Sequence, residues 1–322
     1  MRALVVTNLW PTPSEPQRGS FVRDQVAALQ ALDGVDVEVF HVPPGGARTY
    51  VRAFGRLRRR YRGDRFDVVH AHFGLTAWPS LAVRGAPHAV TLHGTDVRHP
   101  RSGRLTRAVL PRLDLVAAVS AELAAELPPT ARRLAVLPCG VDTGRFVPIP
   151  RAEARERLGL PADEPCVLFP ADPARPGKRS DRARAIAGDA RLLALGRVHP
   201  LEVPLWVNAA NAVVVPSEAE GFGLAVLEAL ACDVPVLATP VGVHPAALDG
   251  IAGTLCAPFD ATAWRAALAP HLAAADPRVE GRARAEAWSC ARMAERVLVA
   301  WRELAEPLLD SPAEAPEGAV SV

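Results

Sequence analysis

With 322 residues and 49% hydrophobic side chains, the chain has material for two packed cores rather than one. Its 37 basic and 35 acidic residues leave a net charge of +2, which gives no global field for nucleic acid. Five cysteines, widely spaced and without C-x-x-C, argue against a disulfide framework and lead us to expect reduced thiols and a cytoplasmic protein.

No apolar run reaches ~18 residues, so no membrane span is expected. Residues 1–7 run directly into a strand pattern, so no signal peptide is expected either. Of the 37 basic residues only Lys178 is a lysine, a bias that singles out that position.

In chain order, residues 3–7 (ALVVT) read as a buried strand. The loop after them, NLWPTPSEPQRGS, has no G-x-G-x-x-G, which counts against a nicotinamide dehydrogenase. Gly19 leads into a helix over 21–32, and 35–42 is the next strand. Residues 50–65 place Val51, Phe54, Leu57 and Tyr61 at helical spacing. The same stretch carries Arg52, Arg56, Arg58, Arg59, Arg60, Arg62 and Arg65 against one acid, Asp64. It is a basic amphipathic helix, suited to solvent or to contact with anionic membrane lipid or a polyanionic acceptor.

A strand over 67–71 and a helix follow, then a strand over 89–92 that ends in His93, Gly94, Thr95 and Asp96. His70, His72, His93 and Asp96 raise the question of a metal site, but no further ligand pattern supports one and none is expected. His72 reads as a polar cleft residue and His70 as an interior histidine. A strand over 114–120, its helix and LPCGVDTGRF complete a first domain, 1–147. Pro148, Pro150 and the charged run RAEARERLGLP mark the boundary. A second domain is expected over 148–290, a terminal helix over 291–309 and a disordered tail over 310–322.

The second domain opens with a strand over 166–170. ADPARPGKRSDRA follows at its carboxyl end, the place for phosphate ligands in such sheets. A short helix over 181–187, a strand over 191–195, the loop 196–200 and a brief helix over 205–210 come next. Strand 212–215, loop 216–221, helix 223–232 and strand 234–239 then form one βαβ unit. Glu220 and Glu228 flank its helix entrance, roughly 12 Å apart if all eight residues rise helically. The free amides of Phe222, Gly223 and Leu224 between them suit an anion. Acid, anion site, acid is a layout for sugar, diphosphate and ribose. A late strand and loop (253–260) and a helix over 261–274 precede a terminal helix over 283–304, with Ala287, Met293, Ala294, Val297, Leu298 and Trp301 on one stripe.

EGFGLAVLE resembles the E-x7-E signature of retaining glycosyltransferases, and its continuation EALACDVPVLATPVG resembles glycosyltransferase family 4. The resemblance runs to about residue 305 and is closest to bacterial enzymes of cell-surface polymer assembly, including the teichuronic-acid type. It implies an α/β GT-B fold, two Rossmann-like domains facing across a cleft with a C-terminal helix crossing back. It implies retaining transfer of a sugar from a UDP- or GDP-type donor to a hydroxyl of a cell-envelope glycan, glycolipid or small molecule. No cofactor or essential metal is implied.

By the same resemblance Glu220 and His93 face the donor sugar as catalytic residues. Arg175 and Lys178 bind the diphosphate with the amides at Phe222, Gly223 and Leu224, Arg179 competing with Arg175. Glu228 holds the ribose, with Gly196, Arg197 and Val198 at the base, and Gly19, His72 and Asp96 belong to the acceptor side of the cleft. Two alternatives stand beside this: a nucleotide-sugar epimerase of the same architecture, and a non-catalytic partner subunit, which would lose these charges. The expected location is cytoplasmic, with peripheral contact on the inner face of the membrane through the basic helix.

Overall fold

The computed structural model describes residues 1–129, 132–196 and 198–306. The tail expected to be disordered (310–322) and Arg197 lie outside the described residues. Two parallel sheets organise the rest. The first has β1 (Arg2–Thr7), β2 (Asp36–His41), β3 (Val68–His72), β4 (His88–Leu92), β5 (Leu115–Ala118) and β6 (Leu134–Val136), in the order β2-β1-β3-β4-β5-β6. The second has β7 (Cys166–Phe169), β8 (Arg191–Ala194), β9 (Ala212–Val215), β10 (Val236–Ala238) and β11 (Leu255–Cys256), in the order β11-β10-β9-β7-β8.

The inner strands β1, β3, β5, β7 and β9 are short runs rich in Val, Leu and Ala, buried almost throughout because helices cover both sheet faces. In each sheet the chain reverses its direction of strand addition once, between β1 and β3 and between β7 and β9. Crevices open beyond the carboxyl ends of strands at such points. Here the two crevices face each other, because loops after β4, β7 and β9 line one common cavity. This is the GT-B arrangement.

The terminal helix crosses back as expected, with Met293, Val297 and Trp301 packed among Val5, Val22, Val26 and Leu29 of the first sheet and its helix. It is not one helix over 283–304. A short turn, Arg282–Glu286, stops, and a new helix, Cys290–Ala305, begins with Ser289 as cap, its side chain accepting from the Arg292 amide at 3.3 Å. The break exists because Val141 of the first domain pairs with the backbone there, receiving the Cys290 amide and donating to the Trp288 carbonyl. Ala287 is consequently exposed and off the apolar stripe.

Other departures have equally local causes. The basic helix spans Ala47–Arg60, because Gly63, at φ 91°, turns the chain before Arg65 can join it. The charged run after Pro150 is a helix, Arg151–Leu158, rather than a bare boundary. Its Arg155 is buried and donates to the carbonyls of Ala209, Pro161 and Ala162 and to Asn211 Oδ1, so a buried guanidinium ties this helix to the second sheet. Strand β6 escaped notice because it is a three-residue edge strand with exposed Leu134 and Val136.

Candidate active site

The cavity between the domains has a volume of about 690 Å3. On its second-domain side, a 3-10 turn, Pro176–Lys178, brings Lys178 up from the loop after β7. Its Nζ sits 2.5 Å and 2.6 Å from the two carboxylate oxygens of Glu220. Both side chains are largely buried, 18% and 9% exposed. Burial pushes the Glu220 carboxyl up, but the Lys178 ammonium and its hydrogen bonds outweigh this and hold it below the ordinary glutamate value. Glu220 is therefore ionised at neutral pH, and lysine and glutamate form one buried unit.

Arg175 lines the same cavity, and among the described residues no carboxylate lies within salt-bridge distance of it. Arg179 is committed elsewhere, 2.6 Å from both Asp181 and Glu218, and does not line the cavity. Geometry thus separates the two arginines that sequence could not.

The helix after β9 begins at Leu224, with Gly223 at φ 105° before it. A Cβ on Gly223 would lie 2.4 Å from His244 Nε2, so the turn is tight as well as left-handed. None of the amides of Phe222, Gly223, Leu224 or Ala225 donates to a protein acceptor among the described residues, and all four residues line the cavity. Because the helix starts four residues after Glu220, helical rise accounts only for Leu224 to Glu228, about 6 Å. The 12 Å estimate across all eight residues does not hold. Glu228 lines the same cavity. Burial pushes its carboxyl up to about 7 against the pull of Arg145, with Asp24 adding to the rise. Arg145 itself holds Asp24 at 2.7 Å.

The first domain supplies His93, half-buried at the end of β4, stacked behind His72 and His70. Ring centroids are 5.4 Å apart for His72 and His93 and 4.8 Å for His70 and His72. Trp301 of the crossing helix donates its indole N–H to His70 Nδ1 at 2.8 Å. An indole nitrogen only donates, so His70 carries its proton on Nε2 and donates to Thr91 Oγ1 at 2.8 Å. The Gln25 amide faces His72 Nε2 at 3.4 Å, and His72 Nδ1 lies 3.1 Å from His93 Nε2. With Gln25 donating, His72 donates to His93 Nε2, and His93 keeps its own proton on Nδ1. Burial lowers all three histidines well below their ordinary value, His72 to about 3, so the stack is neutral at physiological pH.

None of the three residues assigned to the acceptor side of the cleft lines it. His72 is fully buried as the middle of the stack. Asp96 is also fully buried, because its carboxylate accepts the amides of His93 and Gly94 at 3.0 Å and 2.9 Å and that of Gly74 at 3.1 Å. It fixes the His93 turn from beneath. Burial, against those amide bonds, pushes Asp96 up to about 6. The four candidate metal ligands therefore stack or cap backbone and do not converge, and no group of three such side chains suited to a metal occurs among the described residues.

Gly19 stands one residue outside the cavity, with φ 64° and no room for a Cβ, which would lie 2.1 Å from the Leu9 carbonyl carbon. Its successors Ser20 and Phe21 do line the cavity. Gly196 and Val198 sit beyond the loop of Asp172 and line no part of it.

Sequence reasoning missed the residues that join the domains. Arg98 donates to the Glu220 carbonyl at 2.9 Å and pairs with Glu122 and Glu126 at 3.0 Å and 2.7 Å. Glu122 also accepts the Gly242 amide at 2.9 Å. Beside them Gly221 packs on His93, where a Cβ would come within 2.0 Å of the carbonyl oxygen. Arg98 follows HGTD by two residues, the one signal that could have drawn attention to it.

Residues 4–145 match the family described as Glycosyltransferase Family 4, and residues 171–273 match Glycosyl transferases group 1. The chain is 30% identical to the D-inositol 3-phosphate glycosyltransferase of Actinosynnema mirum, across 90% of this chain and 84% of that one. It is 27% identical to the putative teichuronic acid biosynthesis glycosyltransferase TuaC of Bacillus subtilis, across 75% and 82%. In fold it is similar to the sucrose-phosphate synthase of Thermosynechococcus elongatus, with TM-score 0.73, 21% identity and coverage of 94% of this chain and 99% of that one. It is also similar to Anabaena HepE in complex with UDP-glucose, with TM-score 0.70, 16% identity and coverage of 94% and 100%.

Proposed function

The chain belongs to glycosyltransferase family 4, and we propose that it moves a sugar, with retention, from a nucleoside diphosphate sugar to an acceptor hydroxyl. The donor is of the UDP or GDP type, and the acceptor is a hydroxyl of a cell-envelope glycan, glycolipid or small molecule. The observation that carries this reading is the convergence of Arg175, Lys178 and four free backbone amides on one cavity that also holds Glu220 and Glu228.

A departing diphosphate needs stabilisation that grows as its bond to the anomeric carbon breaks. Arg175, the Lys178 ammonium and the amides of residues 222–225 supply fixed positive potential there without a divalent ion. Glu220, kept ionised by Lys178, faces the positive character that develops on the sugar ring. His93 presents a neutral Nδ1–H to the donor sugar, and Glu228 accepts from ribose hydroxyls. Both oxygens of Glu220 are engaged by Lys178 and Glu228 is assigned to the ribose, so among the described residues neither cavity carboxylate is free to form a covalent intermediate, which supports attack from the face the diphosphate leaves. The anomeric C–O bond breaks, the acceptor oxygen bonds to the same carbon, and the acceptor proton passes to the departing phosphate oxygen. With Gly196 and Val198 outside the cavity, contact with the base would come from the loop around Asp172.

No helix among the described residues is long and apolar enough to cross a membrane. The helix Ala47–Arg60 would meet anionic lipid at the surface, each basic residue near it adding ~1 kcal/mol. Thermal unfolding with UDP, GDP and ADP, then with their sugars, tests the donor assignment. A ligand at 100 times its dissociation constant stabilises by ~2.7 kcal/mol. Stabilisation by one nucleotide family, retained under chelation, supports the reading; none with any donor refutes it.

A further inference from the structure

Beside the cleft, on the first domain, lies a second cavity of about 960 Å3. It runs between the helices Ala47–Arg60, Gly74–Ser80 and Pro100–Val109. Trp78 and Leu75 contribute to its lining, and Trp78 is fixed by donating its indole N–H to the Leu105 carbonyl at 3.0 Å. Val51, Phe54 and Leu105 also line it, 72%, 40% and 52% exposed, three of the seven exposed large hydrophobic residues among those described. Exposed apolar groups gathered around one groove mark a binding surface.

The charge pattern says what kind. No carboxylate lines the groove, whereas Arg101 and Arg112 do, the latter with its guanidinium 5.4 Å from the centre of the Trp78 ring. Arg58 stands one turn beyond Phe54 on the same helix face. Among the described residues no acid lies within salt-bridge distance of Arg58, Arg101 or Arg112. Uncompensated cations around an apolar trough are complementary to an amphiphile with an anionic head. The groove adjoins the cleft, since His99 lines both.

We propose that this groove takes the hydrocarbon chain of the acceptor itself, a lipid phosphate whose head is held by Arg101 and Arg112 and whose hydroxyl-bearing part passes His99 into the cleft. The proposal rests on the transfer reading above and narrows its acceptor class. A membrane surface alone would account for the basic helix but not for an apolar trough that adjoins the cleft at His99.

The test uses the full chain and farnesyl phosphate below its micelle concentration, with binding followed by tryptophan fluorescence. Farnesol, inorganic phosphate and phosphatidylglycerol vesicles are run alongside. Farnesyl phosphate should saturate, bind at least tenfold tighter than farnesol or inorganic phosphate, and weaken at least tenfold in Val51→Glu, Leu105→Glu and Arg112→Gln. The two glutamate substitutions fall on exposed side chains, and nucleotide binding by each variant shows that the cleft is intact. Absent saturation, or affinity unmoved by all three substitutions, overturns the proposal. Vesicle binding that responds to the substitutions while farnesyl phosphate does not bind also overturns it, and makes this a membrane-docking face. Failure of the wild-type chain to bind any nucleotide sugar, with farnesyl phosphate still saturable, would strike the transfer reading instead.

Discussion

Lys178 and Glu220, 42 residues apart, share one buried ion pair in which the ammonium reaches both carboxylate oxygens. The one lysine of a chain otherwise written in arginine therefore stands between the acid of the E-x7-E signature and the proposed diphosphate site. A compact ammonium can serve a carboxylate and a phosphate at once, while a planar guanidinium must choose an orientation. Lys178→Arg is expected to lower turnover at least tenfold, about 1.4 kcal/mol of transition-state stabilisation. Acylation of Lys178, read by mass spectrometry, should be slowed by nucleoside diphosphate and should remove activity in step. A fully active Lys178→Arg enzyme would return Lys178 to a structural role.

Glu228 is placed to show its function through pH. Its carboxyl lies near 7 in the folded chain against 4.5 ordinarily. A raised folded value contributes stability below about 4.5 and loses it as pH rises through about 7. Glu228→Gln should therefore be more stable than the wild type at pH 8, by on the order of 1–3 kcal/mol, and near parity at pH 4.5. Nucleotide-sugar affinity should rise with pH through this range in the wild type, because the ionised form is the better acceptor for ribose hydroxyls. Titration calorimetry of Glu228→Gln should find weaker affinity that is flat with pH. A wild-type profile equally flat would remove Glu228 from the ribose.

The histidine stack predicts a neutral, tautomerically fixed His93. Nitrogen NMR of labelled protein should show His93 protonated on Nδ1 and unchanged between pH 6.5 and 8, because burial holds its ionisation well below the ordinary value. Because those values are depressed, the stack's contribution to stability is present above about 6.5 and declines as pH falls below it. His72→Phe keeps a ring in place and removes the bond to His93 Nε2. It should mix the tautomers and lower kcat severalfold with donor KM little changed. Titration of His93 near pH 6.5 would contradict this.

Gly221 supplies a steric test of the two-domain site. A Cβ there would meet the His93 carbonyl oxygen at 2.0 Å, yet these residues belong to different domains. Separation of the domains relieves the clash without unfolding either. Gly221→Ala should lose at least tenfold in turnover while its melting temperature stays within a few degrees of the wild type. Full activity would mean that the two loops need not touch during transfer.

Much of this was legible in the sequence, and the failures have physical reasons. Strand β9, residues 212–215, was readable because a run buried on both faces is apolar throughout. Glu220 and Lys178 were each singled out, but their contact was not, since it spans two loops whose shape depends on the Arg179 turn at φ 58°. His72 reads as a polar cleft residue at the end of its strand, and the family resemblance places Asp96 there. Here Asp96 is spent on three backbone amides and His72 on its neighbours. Arg98 and Arg155 were unreadable for a related reason: a composition with 37 basic residues hides the few arginines whose burial or partners matter.

The most direct measurement is the stereochemistry of transfer to a surrogate acceptor that cannot mutarotate. The enzyme would be incubated with α-linked UDP- and GDP-sugars in buffer containing methanol, and the methyl glycoside formed would be read by proton NMR. Release of nucleoside diphosphate with formation of the α-methyl glycoside, lost in Glu220→Ala, is the predicted result. A β-glycoside would contradict same-face attack in this cleft, and no diphosphate release from any donor would contradict the donor site itself.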